Sequence, residues 1–525
     1  MEPSCVRHDA IPGTSRLFSN YIYNFDEVSR FYPAGPPTPA QVLSLAQNFS
    51  FPDQERAAIV AALTKQNSDS EALQKLAKPG TVAVVTGQQV GLFSGPAYTV
   101  FKALTAVKLA EYLETNGIPA VPVFWLATED HDLAEVDHTW VFNEKGTPSR
   151  ISASALAATG GPVGTTVLND LPLNELRAAL GALPFADEVM AKVNGAYVEG
   201  GTLGNAFEAL VKDLLGGFGL LYLNPLHPEI RKLSAPLLVK AAEKAPELVS
   251  ALRERSAELE AAGYHSQVLV EKDSSLLFLL KGTKRLSLRL KESRFISRDV
   301  DMSAADLAAI ADQISPNALL RPVLQDFLLP TVAYVAGPSE LAYFAQSSVL
   351  YERLLGRMPV IYPRNSLTLL DERAVKLMTR NHLRLPDLLD YKERVKSKIA
   401  DRLVPKNLTG EFKQLEQSFT AALGKLQQDL HDFDPTLQSS AQKSSLKIPY
   451  QLQKLQRKTA RETLRRDEKA SADADYLLNL VFPNKHLQER LYSIVPFLAK
   501  FGLDLPQRLY AQIQLSCPDH MLRTF

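Results

Sequence analysis

Short apolar runs alternate with amphipathic stretches between residues 82 and 364. Five runs have the length of buried strands: VAVVT (82–86), AVPVFWLA (120–127), GLLYLNP (219–225), TVAYVAG (331–337) and PVIYPR (359–364). Helical patterns follow the first and fourth runs, over Ala97–Asn116, with Pro96 in the first turn and Gly117 beyond the end, and from Ser339, which is placed as a cap. This alternation predicts an α/β protein with a doubly wound parallel sheet.

The segment between the second and fourth strands is too long for a single crossover. We therefore predict an insertion over 141–315, with one core strand returning near 219–225. Inside it, the apolar runs of 263–297 are broken by Lys-Asp and Lys-Gly pairs, which predicts a small antiparallel sheet. The two halves of the core are then 81–140 and 316–370, and residues 1–80 are expected to pack on them.

The last third of the chain has a different hydrophobic period. Apolar residues recur at close to 3.5-residue spacing, which is typical of a coiled-coil seam: Phe412, Leu415, Phe419, Ala422, Leu426 and Phe433. The Asp434–Pro435 step should end this helix, and a second helical stretch follows to about residue 480, with a kink expected at Pro449. Residues 371–480 are thus predicted to form a helical hairpin, and 481–525 to return to the core as compact helices.

Composition excludes several classes of protein. Among 525 residues, 58 basic residues balance 58 acidic ones, so no net charge attracts nucleic acid or an anionic membrane. No apolar run is long enough to span a membrane, and the first residues lack the apolar core of a signal peptide. Only Cys5 and Cys517 occur, which excludes a disulfide framework or a clustered cysteine zinc site and suggests a cytoplasmic protein.

A binding crevice is expected where the first and fourth strands end side by side, because open parallel sheets bind ligands at that point. The loop after the first strand is rich in glycine, and the following helix could offer free N–H groups and Lys102 to an anion. The alternative is a tight turn whose glycines serve packing. The candidate nucleotide- or anion-binding residues are Thr86, Gly87, Gln88, Gln89, Gly91, Ser94, Gly95, Tyr98, Lys102, Gly337, Ser339 and Glu340.

An acidic cluster follows the second strand. Glu129, Asp130, His131 and Asp132 are candidate catalytic residues, because carboxylates around an imidazole can orient it as a general base. If a helix follows, His131, Glu135 and His138 would share one face and could bind a metal ion. In a third interpretation, the acidic residues lie at a helix N-terminus, where the helix dipole stabilises negative charge. This interpretation explains His131 poorly.

Further candidates for substrate binding lie near the same crevice. Asn317 and Arg321 are predicted on one helix face, with Arg321 as a possible carboxylate ligand or structural ion pair. The full set of substrate-binding candidates is Tyr264, His265, Asn317, Arg321, Tyr343, Gln346, Arg364 and Ser366.

Five stretches, in order along the chain, resemble one family: TGQQVGLFSGPAYTVFKA, PVFWLATEDHDLAEVDH, GYHSQV, SPNALLRPVLQDFLLPTVAYVAGPSELAYFAQ and FPNKHLQER. They are similar to the cysteine-adding enzyme family of bacillithiol biosynthesis. The resemblance implies a cytoplasmic ligase that joins cysteine to glucosaminyl-malate through an amide. It also implies a Rossmann core related to class I aminoacyl-tRNA synthetases, a connecting-peptide insertion and a coiled coil through which the protein dimerises.

The same resemblance bears on the cofactor. FSGP (93–96) stands where cysteinyl-tRNA synthetases have H-x-G-H. GPSELAYF resembles their G-G-x-D-L-x-F, with Glu340 in place of the acid, but no K-M-S-K-S loop follows the fifth strand. ATP and Mg²⁺ are therefore expected by fold analogy, and an already activated cysteine is the alternative. Two rival functions are a metal-dependent hydrolase or deacetylase that uses residues 129–132, and a non-catalytic assembly factor.

Overall fold

The structure is a computed structural model that describes residues 5–68, 70–153, 160–298, 300–389 and 392–525. Its described residues divide into two compact units. One contains residues 5–368 and 489–523, and the other contains 369–488 with 524–525. The predicted ranges 1–80, 141–315 and 371–480 include residues 1–4, 69, 154–159, 299 and 390–391, which lie outside the described residues.

The first unit is built on a five-stranded parallel sheet. Its strands are β1 (Val82–Gln89), β2 (Ala120–Ala127), β3 (Leu221–Leu223), β4 (Thr331–Ala336) and β5 (Val360–Pro363). The spatial order is β5-β4-β1-β2-β3, with every neighbouring pair parallel. The predicted α/β fold, its five strands and the contact between the first and fourth strands are confirmed.

Both faces of the sheet are buried, which explains why its strands are almost wholly apolar. Alternate residues of β1 enter different cores: Val82 and Val84 belong to a cluster on one face, and Ala83 and Val85 to a larger cluster on the other. Helices cover both faces, among them α1 (Tyr98–Thr115) and α2 (Pro338–Leu354). The sheet is therefore doubly wound.

The end of β1 differs from the prediction. The strand continues through Gln89, so Gly87 lies inside it opposite Trp125 and not in a loop. A Cβ atom on Gly87 would lie 2.9 Å from the carbonyl oxygen of Trp125, which explains the glycine as a close approach between strands. The helix α1 begins at Tyr98, so Pro96 precedes it and is not in its first turn.

The long segment after β2 contains both helices and small sheets. A hairpin of His138–Phe142 and Pro148–Ser152 precedes the helices Leu173–Leu180, Ala186–Ala196 and Leu203–Leu215, and β3 then returns to the core. The helices Pro228–Glu243 and Ala245–Ala261 lead to an antiparallel sheet of Val300–Met302, Arg294–Ser297, Lys284–Lys291, Ser274–Lys281 and Ile314–Pro316, in that spatial order. The predicted antiparallel sheet is confirmed and is larger than expected.

The remaining elements of this unit surround the core. They are the helices Arg16–Tyr23, Pro39–Gln47, Asp53–Thr64, Glu71–Leu76, Ala304–Ala309, Arg321–Leu328, Val495–Phe501 and Leu505–Gln512. A three-stranded sheet brings the two chain ends together with an internal strand. It contains Cys5–Val6, His520–Thr524 and Ser366–Leu370, in that spatial order. Residues 489–523 thus share a compact unit with the parallel sheet.

The second unit is helical. Its helices are Glu372–Arg380, Leu385–Leu388, Lys392–Leu403, Lys406–Phe433, Gln438–Arg466 and Glu468–Val481. The first long helix ends at Phe433 as predicted, and a hydrogen bond from Gln427 to Ser445 (2.9 Å) links it to the next. The second long helix runs through Pro449, and its break lies at Asp467, whose carboxylate caps the following helix by accepting from the Ala470 N–H.

Most of the predicted coiled-coil stripe is exposed, whereas Phe412 is partly buried. Leu415, Phe419, Leu426 and Phe433 are 45%, 38%, 50% and 83% exposed, respectively. The described part of the chain therefore leaves these four apolar side chains largely uncovered. No helix within the described ranges is both long and apolar enough to cross a membrane.

Candidate active site

A cavity of about 480 Å³ opens at the carboxyl edge of the parallel sheet, where β1, β2, β4 and β5 end. This is the edge at which open parallel sheets bind ligands, and the strand order reverses there between β1 and β4. The predicted site residues that line it are Gly87, Gln88, Gln89, Tyr98, Glu129, Asp130, Asn317, Arg321, Gly337, Ser339, Glu340, Tyr343 and Arg364.

The other predicted residues are absent from the cavity lining: Thr86, Gly91, Ser94, Gly95, Lys102, His131, Asp132, Tyr264, His265, Gln346 and Ser366. Several have structural roles. Thr86 donates to the Val335 carbonyl (2.9 Å), and Gln346 bonds both backbone groups of Val268. Tyr264 is buried and accepts from the Asn20 amide (2.9 Å), whereas His265 is exposed. The structure does not bring these residues to the cavity.

The glycine loop after β1 is a packed turn. Tyr197 donates to the Gly91 carbonyl (3.2 Å), and Ser493 donates to the Phe93 carbonyl (3.1 Å). A Cβ atom on Gly91 would lie 2.9 Å from the Cα of Gly95, and Gly95 has a φ of +62°. The packing alternative therefore describes Gly91 and Gly95 better than an anion-binding loop does.

The N-terminus of α1 is also covered. The Ala97 N–H, just before the helix, donates to the Tyr492 carbonyl (2.7 Å), and Ser493 forms a bridge with Pro96. A ligand in the cavity would not meet this N–H group. These contacts give no support to the expectation that this helix end binds an anion, because residues far along the chain lie against the segment that precedes it.

Lys102 is used inside the protein. Its side chain is 1% exposed, its ammonium lies 2.6 Å from a Glu340 carboxylate oxygen, and it also donates to the Gly87 carbonyl. Burial lowers the pKa of Lys102, and Glu340 opposes that change. The cation thus neutralises Glu340 instead of serving a ligand.

Glu340 organises the loop after β4. Its carboxylate accepts from the Tyr334 hydroxyl and from the Gly337 N–H, both at 2.7 Å. Glu340, and not Ser339, therefore caps α2. A carboxylate of the protein already lies at this helix N-terminus. The loop is therefore better suited to accept a hydrogen bond from a ligand than to bind an anion.

Two of the four predicted catalytic residues line the cavity. Burial raises the pKa of the Glu129 carboxyl, and nearby guanidinium groups oppose this change. The guanidinium of Arg231 lies 3.7 Å from a Glu129 carboxylate oxygen. Burial would also raise the pKa of Asp130, but hydrogen bonds from His131 and Gln89 hold it well below its usual range. The Gln89 amide also donates to Glu135 (2.8 Å). The two neighbouring carboxyl groups thus have opposite pKa shifts.

His131 and Asp132 have exposed positions outside the cavity lining. Nδ1 of His131 lies 3.0 Å from the Arg285 guanidinium and 3.5 Å from an Asp130 carboxylate oxygen. Groups of the protein thus already surround this nitrogen. The prediction of His131 as a base in the crevice is not supported by this geometry.

The metal-binding alternative required a helix from His131 to His138. The helix here covers only Leu133–Val136, and His138 begins a strand with its ring 2.9 Å from Asp137. The helical spacing that would align the three ligands is absent. Within the described ranges, no group of three or more histidine, cysteine or acidic residues has metal-binding geometry.

Arg321 is a partly exposed cation whose hydrogen-bond partners are neutral. It donates to the Gln325 side chain (3.0 Å) and to the Tyr343 hydroxyl (3.1 Å), and lies 5.9 Å and 5.7 Å from the rings of Trp125 and Tyr334. Among the described side chains, no carboxylate lies within the 4.0 Å ion-pair distance of Arg321. A partly buried guanidinium without a paired anion suits an anionic ligand group.

Asn317 precedes the Arg321 helix instead of lying on it. Its side-chain oxygen accepts from the N–H groups of Leu319 and Leu320 (3.1 and 3.0 Å), and its carbonyl accepts from the Arg321 N–H. The prediction of one shared helix face is wrong, although both side chains reach the cavity. Asn317 instead fixes the turn that presents Arg321.

Arg364 reaches the cavity from a buried polar network. It lies 2.7 Å from Glu489, which also accepts from Ser366 and from the Leu367 N–H. Ser366 in turn lies 2.6 Å from Nδ1 of His520. Burial would raise the pKa of Glu489, but Arg364 lowers it to about 2. Ser366 is thus a structural residue of this network and not a direct substrate ligand.

Sequence reasoning missed several residues of the lining. Arg285 comes from the antiparallel sheet, and it also donates to Ser315 and to the Pro316 carbonyl. Nothing in its alternating strand marks it as different from its basic neighbours. Arg490 had a signal, because it ends the stretch FPNKHLQER, one of the five on which the family resemblance rests.

Comparison with known proteins agrees with this architecture. Residues 1–365 match the model of the N-terminal Rossmann-like domain of bacillithiol biosynthesis BshC, and residues 367–524 match its C-terminal coiled-coil domain. Relatives named "Putative cysteine ligase BshC" include one from Solibacter usitatus, 49% identical over 99% of both chains, and one from Koribacter versatilis, 36% identical over 99% of both. A third, from Salinibacter ruber, is 30% identical over 93% of this chain and 92% of its own. The chain therefore belongs to the BshC family of bacillithiol biosynthesis.

Proposed function

We propose that this protein is a ligase that forms an amide bond between the carboxyl group of cysteine and the amine of glucosaminyl-malate. The relatives' shared name supports cysteine ligation. The observation that carries the proposal is the cavity at the sheet edge, which is lined by Arg321, Glu129 and Asp130. Among the described side chains, the Arg321 guanidinium has no carboxylate partner within ion-pair distance. Such a space can hold an anionic group and an amine together.

The acidic side of the cavity suits the amine. An ammonium group is attracted by Asp130, whose low pKa keeps it ionised, and must lose a proton before it can attack a carbonyl carbon. Glu129 is the better proton acceptor because burial raises its pKa towards neutrality. We assign Asp130, with Glu135, to amine binding and Glu129 to proton removal.

The basic side of the cavity suits carboxylates. Arg321 is partly buried, hydrogen-bonded to Tyr343 and flanked by aromatic rings, so its position is fixed before a ligand arrives. A fixed guanidinium binds a carboxylate with two parallel hydrogen bonds. We assign Arg321 to a carboxylate of the malate group.

ATP with Mg²⁺ remains the proposed source of activation. ATP would supply the group that turns the cysteine carboxylate into a reactive acyl donor. The glycine loop does not fit its phosphates, because that loop is packed and covered. Arg364 and the exposed Arg490, which line the cavity, carry charge suited to phosphate oxygens.

Two further proposals concern the assembly and the setting. The exposed stripe of Leu415, Phe419 and Leu426 supports a homodimer formed through the hairpin, since an uncovered apolar seam is the surface that a second helix pair buries. The free thiols of Cys5 and Cys517 support a reducing, cytoplasmic setting. Balanced charge gives no support to nucleic acid as a partner. No observation favours the hydrolase or the assembly factor.

The proposal is tested by incubating the purified protein with cysteine and glucosaminyl-malate, with and without ATP–Mg²⁺, and detecting the amide product by mass spectrometry. Product that depends on ATP supports the full proposal. Product formed only from a preactivated cysteine, such as its thioester, keeps the ligase and replaces the cofactor. Absence of product with every donor would contradict the proposed function.

A further inference from the structure

The two cysteines of the chain lie side by side although 512 residues separate them in sequence. Their sulfur atoms are 3.8 Å apart. The strand Cys5–Val6 pairs antiparallel with His520–Thr524, and Cys5 lies opposite Met521, four residues after Cys517. The register of this strand pair thus holds the two sulfurs together at the chain ends.

Both thiols are free, and a small molecule can reach them. Cys5 is exposed and Cys517 is partly exposed. Neither lines the cavity, so the pair is separate from the candidate active site. Asp519 and Arg523 are the charged neighbours that act on the Cys5 sulfur.

The separation of the sulfurs allows a covalent bond after a small movement. A disulfide requires about 2.05 Å between sulfur atoms, so the two must approach by somewhat less than 2 Å. Rotation about the side-chain bonds of Cys5 and of Cys517, which precedes the strand His520–Thr524, can supply that distance. The backbone pairing need not break.

We propose that Cys5 and Cys517 form a dithiol site for low-molecular-weight disulfides, which convert it to an intramolecular disulfide. The Cys5 thiolate attacks one sulfur of the small disulfide, whose S–S bond breaks and releases one small thiol. Cys517 then attacks the Cys5 sulfur of the mixed disulfide and releases the second small thiol. The protein thiols lose two protons and two electrons, and the small disulfide gains both as two thiols.

This reaction depends on an excess of the small disulfide. Burial and the neighbouring Cys517 raise the pKa of the Cys5 thiol, so its thiolate is scarce at neutral pH and exchange is slow in a reducing solution. Once formed, the bond joins the strand Cys5–Val6 to the segment just before the strand His520–Thr524. It therefore restricts the unfolded chain and raises the unfolding temperature.

The test treats the reduced full-length protein with excess glutathione disulfide, alkylates the remaining thiols and records intact mass and non-reduced peptide maps. We expect the wild type to lose the mass of two hydrogen atoms, with no glutathione attached, and to give one peptide pair that joins Cys5 to Cys517. Cys517→Ser should instead keep one glutathione on Cys5, because its resolving sulfur is gone. The oxidised wild type should melt at a higher temperature than the reduced protein, and Cys517→Ser should show no such rise.

Three results would each overturn the proposal. They are a wild type that carries glutathione on both cysteines, a disulfide formed between two chains, and an unmodified protein. The mass measurement does not depend on ligase activity, so failure of this proposal and failure of the proposed function are distinguishable.

Discussion

Three cations at the sheet edge differ in whether a carboxylate of the protein neutralises them. Lys102 has Glu340 and Arg364 has Glu489, at 2.6 and 2.7 Å. Arg321 donates to neutral groups only, within the part of the chain that the structure describes. Since a charge that is partly removed from water is costly without a partner, Arg321 is the side chain from which an anionic ligand gains most.

The Lys102–Glu340 pair is expected to contribute strongly to stability. Lys102→Met leaves the Glu340 carboxylate without its cation and should lower the free energy of unfolding by about 3 kcal/mol. Lys108→Met, on the same helix but at an exposed ion pair, should cost less than about 1 kcal/mol. Urea unfolding of both variants makes the comparison.

Adding Glu340→Gln to Lys102→Met should recover part of the loss, because the carboxylate is then neutral. Equal stability of Lys102→Met and the wild type would show that the pair is not formed in solution.

Two buried histidines should make the protein sensitive to mild acid. Burial lowers the pKa of both His8 and His520 to about 4, from an ordinary value of 6.5. Between these pH values the unfolded chain binds protons that the folded chain does not, so stability is full above pH 6.5 and falls as the pH falls towards 4. The loss should be on the order of 2 kcal/mol for each histidine.

The test is urea unfolding at neutral and mildly acidic pH. His520→Gln should show a weaker dependence on pH than the wild type, whereas His486→Gln, at an exposed position, should match it. An unchanged slope in His520→Gln would contradict the assignment.

Prediction from sequence succeeded for residues that directly follow strands. Glu129, Asp130, Glu340 and Arg364 follow β2, β4 and β5, and a parallel sheet brings such positions to one edge. Arg285 could not be found this way, because it arrives from a separate antiparallel sheet whose placement is a long-range contact. The use of Lys102 by Glu340 is likewise invisible in sequence, where 238 residues separate them.

At the scale of elements, strands were easier to predict than the ends of helices and loops. A strand buried on both faces is an unbroken apolar run, which explains the success for all five core strands. The glycine loop misled because a turn that binds phosphate and a turn that packs need the same residue. Here Tyr197 and Ser493, from distant segments, decide between them.

The helical hairpin gives a prediction at this scale. Leu415→Glu with Leu426→Glu places two charges on the exposed apolar stripe and should convert a dimer to a monomer in analytical ultracentrifugation. The fold of the hairpin should persist, because neither side chain is buried in it.

Gln417→Glu, an exposed polar position on the same helix, is the matched control and should remain dimeric. A double Leu variant that stays dimeric would place the dimer interface elsewhere.

At the scale of the whole molecule, the order of the sheet was predictable and the contribution of the C-terminal segment to the site was not. Chain order with right-handed crossovers places the first and fourth strands together. Residues 489–523 nevertheless contribute to the site. Glu489 pairs with Arg364, Arg490 lines the cavity, and Ser493 donates a hydrogen bond to the glycine loop. A pattern of helices cannot show which surface those helices cover.

The most direct test of the account is the steady-state kinetics of amide formation by Arg321→Gln. The control is Arg353→Gln, a partly exposed position on α2 that pairs with Glu247 and does not line the cavity. Loss of a hydrogen-bonded charge costs about 1.5 to 3 kcal/mol, so kcat/KM for glucosaminyl-malate should fall roughly 10- to 100-fold, mainly through KM. The control should retain wild-type values. A folded Arg321→Gln enzyme with unchanged kcat/KM would show that this cavity does not bind the malate group, and would contradict the central claim.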